Sequence, residues 1–332
     1  MSSSEDWLMH ANAAQGEVFD EPLKRFFYFN GGYALLGLII EAVSGMKYTE
    51  YMEEYILKPL SMKRSTYLRE EFEKEDDRMT AYATVKEVIK ESIHPFDELI
   101  YAAGGLLSSI KEMENYLQMF LNKGTFKGNE ILKPESLKTM LEPMIEVPQG
   151  VFGKTYYCFG LGKTEDFFGE ILYTHGGSTA VSSAFLAFIP KQKMGVVVEG
   201  NVGAVQGGLI AQAILASLLG KNPMEDHPLL RLDSKLNQLV GSYQSYKGIN
   251  KVEILKIGQV LYFKDPDEDC PSFPVIPYTD TTKNYKFWVP TGVTKFPCEF
   301  KIDSKTGKIS FVFERTVYHK IGPLKPKKKE KK

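Results

Sequence analysis

A phenol and a carboxamide stand two residues apart at Tyr28 and Asn30, at the mouth of the apolar run Tyr33–Ile40. On one short turn they lie side by side, a group that can pass a proton beside one that can donate or accept a hydrogen bond. A free phenol keeps its proton to about pH 10, so a tyrosine base needs a cation next to it. A second group follows far along the chain, Tyr173-Thr174-His175-Gly176-Gly177-Ser178, in a stretch that reads as a strand. Glycine on a strand suits a place where another molecule must approach the backbone closely. The histidine before it can hydrogen-bond a substrate or a hydroxyl, and a backbone N–H there can face a developing oxyanion. Taken alone, a histidine ahead of two glycines reads as a turn.

These groups need elements to hold them. Gly31 to Ser44 reads as a helix, closed by Gly45 in a left-handed cap. A second helix, Thr49–Leu57, must stop before Pro59. The highly charged segment 69–97 reads as loop. Ser109 and Glu112 have the spacing of a capping box, and Ile110, Met113, Leu117 and Phe120 follow at helical spacing. Lys133–Met140 reads as a short helix opened by Pro134. From Tyr156 the period changes to strands: Tyr156–Leu161, Ile171–His175, Ser182–Ile189 and Gly195–Glu199. Their tight connections predict an antiparallel sheet, with a helix Val205–Leu219 over one face. Gly203, Gly207 and Gly208 fit no phosphate-binding spacing and read as turn and close-packing glycines. A short helix near Asp6–Ala14 carries His10 alone, which reads as solvent-facing.

Lys221 to Pro228 reads as a linker. Beyond it come eight short segments of strand type: Leu239–Tyr246, Lys251–Ile257, Gln259–Lys264, Ser272–Ile276, Tyr285–Val289, Cys298–Ile302, Lys308–Phe313 and Thr316–Ile321. They predict a small barrel or sandwich. The lysine-rich end reads as a disordered, solubilising tail.

The Tyr28-Phe29-Asn30 segment, with "NGGYALLGLIIEAVSG" after it, resembles the Tyr-x-Asn motif and following helix of the serine β-lactamase-like family. That family includes class C β-lactamases, DD-peptidases, penicillin-binding proteins and related esterases. His175-Gly176-Gly177 resembles its third motif, Lys-Thr-Gly in some branches and His-x-Gly in others. "ILKPLSMKRSTY", "AAGGLLSSIKEMENYL" and "SSAFLAFIPKQKMGVVVEGN" extend the resemblance over roughly residues 22–220. "LVGSYQS" resembles the lipocalin-type domain appended to some members. The resemblance implies an α+β fold, an antiparallel sheet covered by helices plus a helical region, followed by a small all-β barrel. It also implies a serine hydrolase that passes through an acyl-enzyme without a cofactor or metal. Tyr28 would be general base and acid, Asn30 would position the substrate carbonyl, and His175, Gly177 and Ser178 would line the oxyanion side. Peptides, β-lactams and simple esters remain open as substrates.

The family also needs Ser-x-x-Lys, several tens of residues before Tyr-x-Asn. Only 27 residues precede Tyr28, and none of Ser2, Ser3 and Ser4 has a lysine three positions on. Ser44-Gly45-Met46-Lys47 ends the helix that Tyr28 opens, roughly 20 Å from the phenol. Ser108-Ser109-Ile110-Lys111 falls at the capping box, and Lys305-Thr306-Gly307 in the turn Asp303–Lys308. The expected organisation is therefore an incomplete hydrolase domain over 1–222, a linker 223–228, a barrel 229–323 and a tail 324–332. Where the serine's helix belongs, an apolar seam should lie exposed. Three readings stay open. The chain is the C-terminal portion of a truncated hydrolase, inactive alone; or a non-catalytic binding protein on the same scaffold; or one half of a two-chain hydrolase completed by a separate polypeptide.

Composition bounds the rest. The chain has 332 residues, 43% hydrophobic and 25% charged, enough for two ordinary globular domains. A formal net charge of -1 gives no reason to expect nucleic acid or a membrane surface. Tyr33–Ile40 and Leu209–Leu219 are too short or interrupted to span a bilayer. With no basic region and apolar core at the start, the expected location is cytoplasmic. Cys158, Cys270 and Cys298 lack any Cys-x-x-Cys pairing and read as free thiols. The five histidines include no His-Glu-x-x-His pair, which disfavours a metal-dependent hydrolase. Expected partners are a small substrate and further copies of the chain.

Overall fold

The computed structural model describes the chain apart from 1–3, 18–19, 87, 267–270, 279–283, 292–293 and 325–332. Cys270 and all but the first residue of the expected tail lie outside the described residues. Contacts divide the chain into two units, Met1–Gly220 and Lys221–Lys332.

The first unit opens with helix α1 (Ser4–Ala13), on which His10 is exposed. Helix α2 (Asn30–Ser44) follows, with Gly45 at φ 72° as its left-handed cap. Although α2 is apolar, Gly37 is its one buried residue. Leu36, Ile39 and Val43 are 50%, 54% and 84% exposed. These side chains form an exposed apolar stripe along α2. Helix α3 (Tyr48–Met52) runs into a π-helical turn, Glu53–Leu57, and ends before Pro59.

The charged segment departs from expectation. It forms helix α4 (Arg69–Lys74) and a hairpin of β1 (Ala81–Val85) and β2 (Val88–Ser92). Long-range bonds hold the hairpin: Tyr82 N–H donates to Asn201 O at 2.9 Å, and Asn201 Nδ2 to Thr80 O at 2.9 Å. Its outward residues, Lys90 and Glu91 among them, are exposed, so composition hid a strand pair made by tertiary contact. Helix α5 (Tyr101–Gly104) precedes α6 (Ile110–Leu121). Ser109 is the N-cap of α6, yet the capping box is not made. Glu112 is taken elsewhere: its carboxylate accepts Arg64 N–H at 2.9 Å and Ser65 Oγ at 2.7 Å. A two-residue hairpin, β3 (Thr125–Phe126) with β4 (Asn129–Glu130), leads to α7 (Pro134–Met140), opened by its proline as expected.

Six strands make the sheet: β5 (Ile145–Gly150), β6 (Gly153–Tyr157), β7 (Gly162–Phe167), β8 (Glu170–Ser178), β9 (Ser183–Ile189) and β10 (Met194–Gly200). They pair antiparallel in chain order, with β5 and β10 at the edges. The single strand expected over Tyr156–Leu161 is instead the end of β6 and a tight turn, closed by Cys158 N–H to Leu161 O at 2.7 Å. Strand alternation sends Tyr173, Leu186 and Phe188 to one face, against Leu117 and Phe120 of α6. Leu172, Ala187, Ile189 and Val196 go to the other, against Ala211, Leu215 and Ala216 of helix α8 (Gly207–Leu218).

In the second unit the expected linker is helical: α9 (Pro223–Asp226) and α10 (Pro228–Asn237) each carry proline in the first turn. Proline's fixed φ suits that position, and Asn222 Oδ1 caps α9 by accepting Met224 N–H at 3.1 Å. All eight expected strands are present as β11 (Gly241–Gln244), β12 (Lys251–Ile257), β13 (Val260–Lys264), β14 (Phe273–Pro277), β15 (Lys286–Thr291), β16 (Thr294–Ile302), β17 (Ile309–Phe313) and β18 (Thr316–Gly322). They close into one barrel. Side chains fill its interior. Tyr243, Phe287, Phe300 and Phe311 are fully buried there with Leu239 beyond α10. This is a packed core rather than a ligand chamber. Lys305-Thr306-Gly307 sits in a turn held by Asp303 Oδ1, which accepts N–H from Lys305 and Thr306.

Among the described residues no helix is long and apolar enough to cross a membrane, and no group of three His, Cys, Asp or Glu could hold a metal.

Candidate active site

Phe29, extended at φ -141°, is the N-cap of α2, and Asn30 is the first helical residue. Tyr28 and Asn30 therefore straddle the helix start, and both are exposed. The Tyr28 ring meets Tyr157 edge-on, with centroids 6.0 Å apart at 89°, and Phe26 packs on Tyr157 at 5.5 Å. Tyr33, one turn into α2, interacts with Tyr157. Burial raises the phenols of Tyr33 and Tyr157 above the ordinary tyrosine value, so both stay protonated at neutral pH.

The second motif lies where the sheet opens. β7 reaches β8 no further than the pair Gly162↔Thr174. From His175 to Ser178 the backbone is paired on one side alone, by β9, in the register His175↔Leu186, Gly176↔Phe185, Gly177↔Ala184 and Ser178↔Ser183. The other edge of these residues is free of the sheet, which is where an extended chain or a carbonyl oxygen can find N–H donors. Gly177 faces open space. His175 is half-buried on the same face as Tyr173, and burial lowers its pKa, keeping the imidazole neutral. The Ser178 hydroxyl is engaged, donating to Gly203 O at 2.7 Å. A Cβ on Gly203 would fall 2.3 Å from Thr179 O, so the turn glycine is required there for close approach.

Tyr157 joins the two motifs. Its ring meets Tyr28 edge-on, it pairs with Gly162, and Gly162 pairs with Thr174 next to His175. Tyr28 and Asn30 thus come to the same end of the sheet as His175, Gly177 and Ser178 through an intermediary, not by direct contact. Sequence reading missed Tyr33 and Tyr157, since only strand register reveals the connection. It also missed Glu199, for which a signal existed: a lone acid in the apolar run Val196-Val197-Val198.

Glu199 pairs with Ala184, which pairs with Gly177, so one row of residues carries it on the His175 face. Burial pushes its carboxyl up to about 7 from 4.5. The folded state therefore holds this proton more tightly than the unfolded chain. The stability it contributes is complete below about pH 4.5, falls as pH rises toward 7 and is gone above. Glu199→Gln should flatten that decline and leave the variant more stable than the parent at pH 8, as measured by urea unfolding across pH. An unchanged pH profile would show that Glu199 titrates normally.

An antiparallel sheet between helical layers, with a tyrosine at a helix mouth beside an open glycine-rich strand, defines the β-lactamase and penicillin-binding-protein class of fold. Residues 5–212 match the Beta-lactamase family, and residues 223–319 match the Pab87 octamerisation domain. The chain belongs to the Beta-lactamase family. Among solved structures it is similar to the octameric penicillin-binding protein homologue from Pyrococcus abyssi, at 34% identity and TM-score 0.85, covering 96% of this chain and 70% of that one. It is 26% identical over 193 residues to Protein flp of Staphylococcus aureus (strain MW2), covering 57% of this chain. To the mouse mitochondrial serine beta-lactamase-like protein LACTB it is 27% identical over 206 residues, covering 56% of this chain. The chain spans 36% of the length of each of these two curated relatives.

Proposed function

We propose that this chain supplies the Tyr-x-Asn and His-Gly-Gly parts of a serine hydrolase acting on amide or ester bonds, the Ser-x-x-Lys segment coming from polypeptide outside these residues. One observation carries the reading: the free edge of His175–Ser178 opens at the end of the sheet where Tyr157 holds Tyr28. In the completed site the serine oxygen adds to the carbonyl carbon while its proton passes to Tyr28 as phenolate, the charge balanced by the lysine ammonium beside it. Asn30 holds the substrate carbonyl. The Ser178 N–H and the serine's own N–H receive the oxyanion. Tyr28 then returns the proton to the leaving amine or alcohol, and water repeats the cycle on the acyl-serine. The barrel unit assembles copies of the chain, a reading supported by its match to an octamerisation domain and by the octameric homologue.

The test is to purify the native protein from its source and treat it with a fluorescent penicillin and a fluorophosphonate ester. Intact and native masses are then measured. The expected result is a covalently labelled serine in polypeptide beyond this sequence, in an assembly of several copies. An unlabelled assembly of this sequence alone would replace the hydrolase by the non-catalytic binding reading.

A further inference from the structure

The barrel of the second unit is closed and has no free strand edge. Nothing can join it by strand pairing, so whatever docks on its strands must lie against an outer wall. Those walls differ. Along β12–β16, alternation sends Ile254, Leu261, Val275, Phe287 and Cys298 into the core, so the residues between them face outward. Register aligns these into rows. One row crosses all five strands as Ile257, Val260, Ile276, Trp288 and Pro297, without a charged residue. The next row holds Tyr262 beside Pro274. Further round, over β16, β17, β18 and β11, an outward row reads Lys301, Ser310, His319 and Gln244, which is what a wall facing water should hold.

The apolar row is open. Ile257 and Val260 are 62% and 39% exposed, Pro297 is exposed, and Ile276 and Trp288 are partly so. Its composition is that of an interface core, with an aromatic anchor and no lysine or glutamate. Proline adds almost no side-chain entropy to the cost of covering it. The row on the far side carries Tyr278, Lys286 and Glu299. One charge of each sign there suits a two-fold arrangement of like surfaces, lysine meeting glutamate across the axis.

We infer that the β12–β16 wall, centred on Ile276 and Trp288, is a contact face between copies of this chain, packed wall to wall. This rests on the assembly role proposed for the barrel and deepens it by naming the face. Residues 223–319, which match the octamerisation domain, contain the whole wall. The inference is independent of the hydrolase reading. Face-to-face packing takes the Trp288 indole out of water. Lys295, whose ammonium lies 4.7 Å from the ring centroid of Trp288, keeps its charge at the rim.

The test uses the full chain, its native mass followed over a range of concentrations, with Ile276→Lys and Ser310→Lys beside the parent. Both positions are outward on a strand, so both variants should keep the parent's circular dichroism. Ile276→Lys should reduce the assembly to a smaller species and raise the dissociation constant at least about tenfold, because the ammonium would be buried without a partner. Ser310→Lys should assemble as the parent does. In a Trp7→Phe background Trp288 is the sole tryptophan, and its emission should shift to the blue as the protein is concentrated. An assembly that Ile276→Lys leaves intact, that Ser310→Lys breaks equally, or that forms without a shift in Trp288 emission overturns this choice of face while the barrel's assembling role stands. A chain that stays monomeric at every concentration overturns both.

Discussion

Tyr28→Phe should lower acylation in the completed enzyme by about 10²- to 10⁴-fold, the range for losing a positioned acid–base group, while leaving the thermal unfolding of this chain unchanged. The two halves of that expectation come from one geometry. Phenylalanine keeps the ring that meets Tyr157 edge-on, so the packing survives. The side chain is 49% exposed, so no buried hydroxyl is left wanting a partner. What disappears is the oxygen proposed to carry the serine's proton to the leaving group. Single-turnover labelling with a fluorescent penicillin would read the acylation step directly, without confusion from deacylation. Turnover equal to the parent would remove Tyr28 from the mechanism and with it the functional meaning of the Tyr-x-Asn spacing.

Phe311→Ala should destabilise the barrel by about 3–5 kcal/mol, the usual cost of emptying a fully buried aromatic site. Phe311 is 0% exposed. Its ring lies 4.6 Å from Phe300, 5.9 Å from Phe263 and 6.0 Å from Phe313, centroid to centroid. Those neighbours sit on three other strand positions of a closed ring, which limits how far any of them can collapse into the hole. Urea unfolding followed by the fluorescence of Trp288, on β15, would report the change. A loss below about 1 kcal/mol would mean that the interior tolerates a void and is not close-packed.

The features legible in the sequence were those fixed by neighbours along the chain. Gly45 marked the end of α2 because a left-handed residue is needed there whatever the fold around it. The proline that opens α7 and the turn-punctuated segments of the barrel were legible for the same reason. Seven of the eight barrel strands came within two residues of their observed bounds, while β16 begins at Thr294, four residues before the expected Cys298. Where a distant partner decides, the reading failed. Lys90 and Glu91 look like loop residues, yet they pair with Ala83 and Tyr82 in a hairpin that Asn201 also holds through the Thr80–Tyr82 backbone. Glu112 has the right spacing for a capping box, but Arg64 and Ser65 claim its carboxylate. The site divides the same way. Tyr28, Asn30 and the His175 strand announce themselves by local spacing and by resemblance. Tyr157 is visible only once register places it beside Tyr28, and Glu199, a lone acid in an apolar run, is tied to the row of Gly177 only by register.

The barrel's topology has a kinetic consequence. Every pairing except that of β11 with β18 joins strands adjacent along the chain. Such pairs can zip hairpin by hairpin, with little chain entropy to overcome at each step. The first-to-last pairing is different, because it must bring together Ser242 and Gly322 from opposite ends of the unit. Its register also shifts between Ser242 and Tyr243. Ring closure is therefore the slow event, and a permuted chain that joins β18 to β11 covalently and opens at a hairpin turn should refold faster than the natural order.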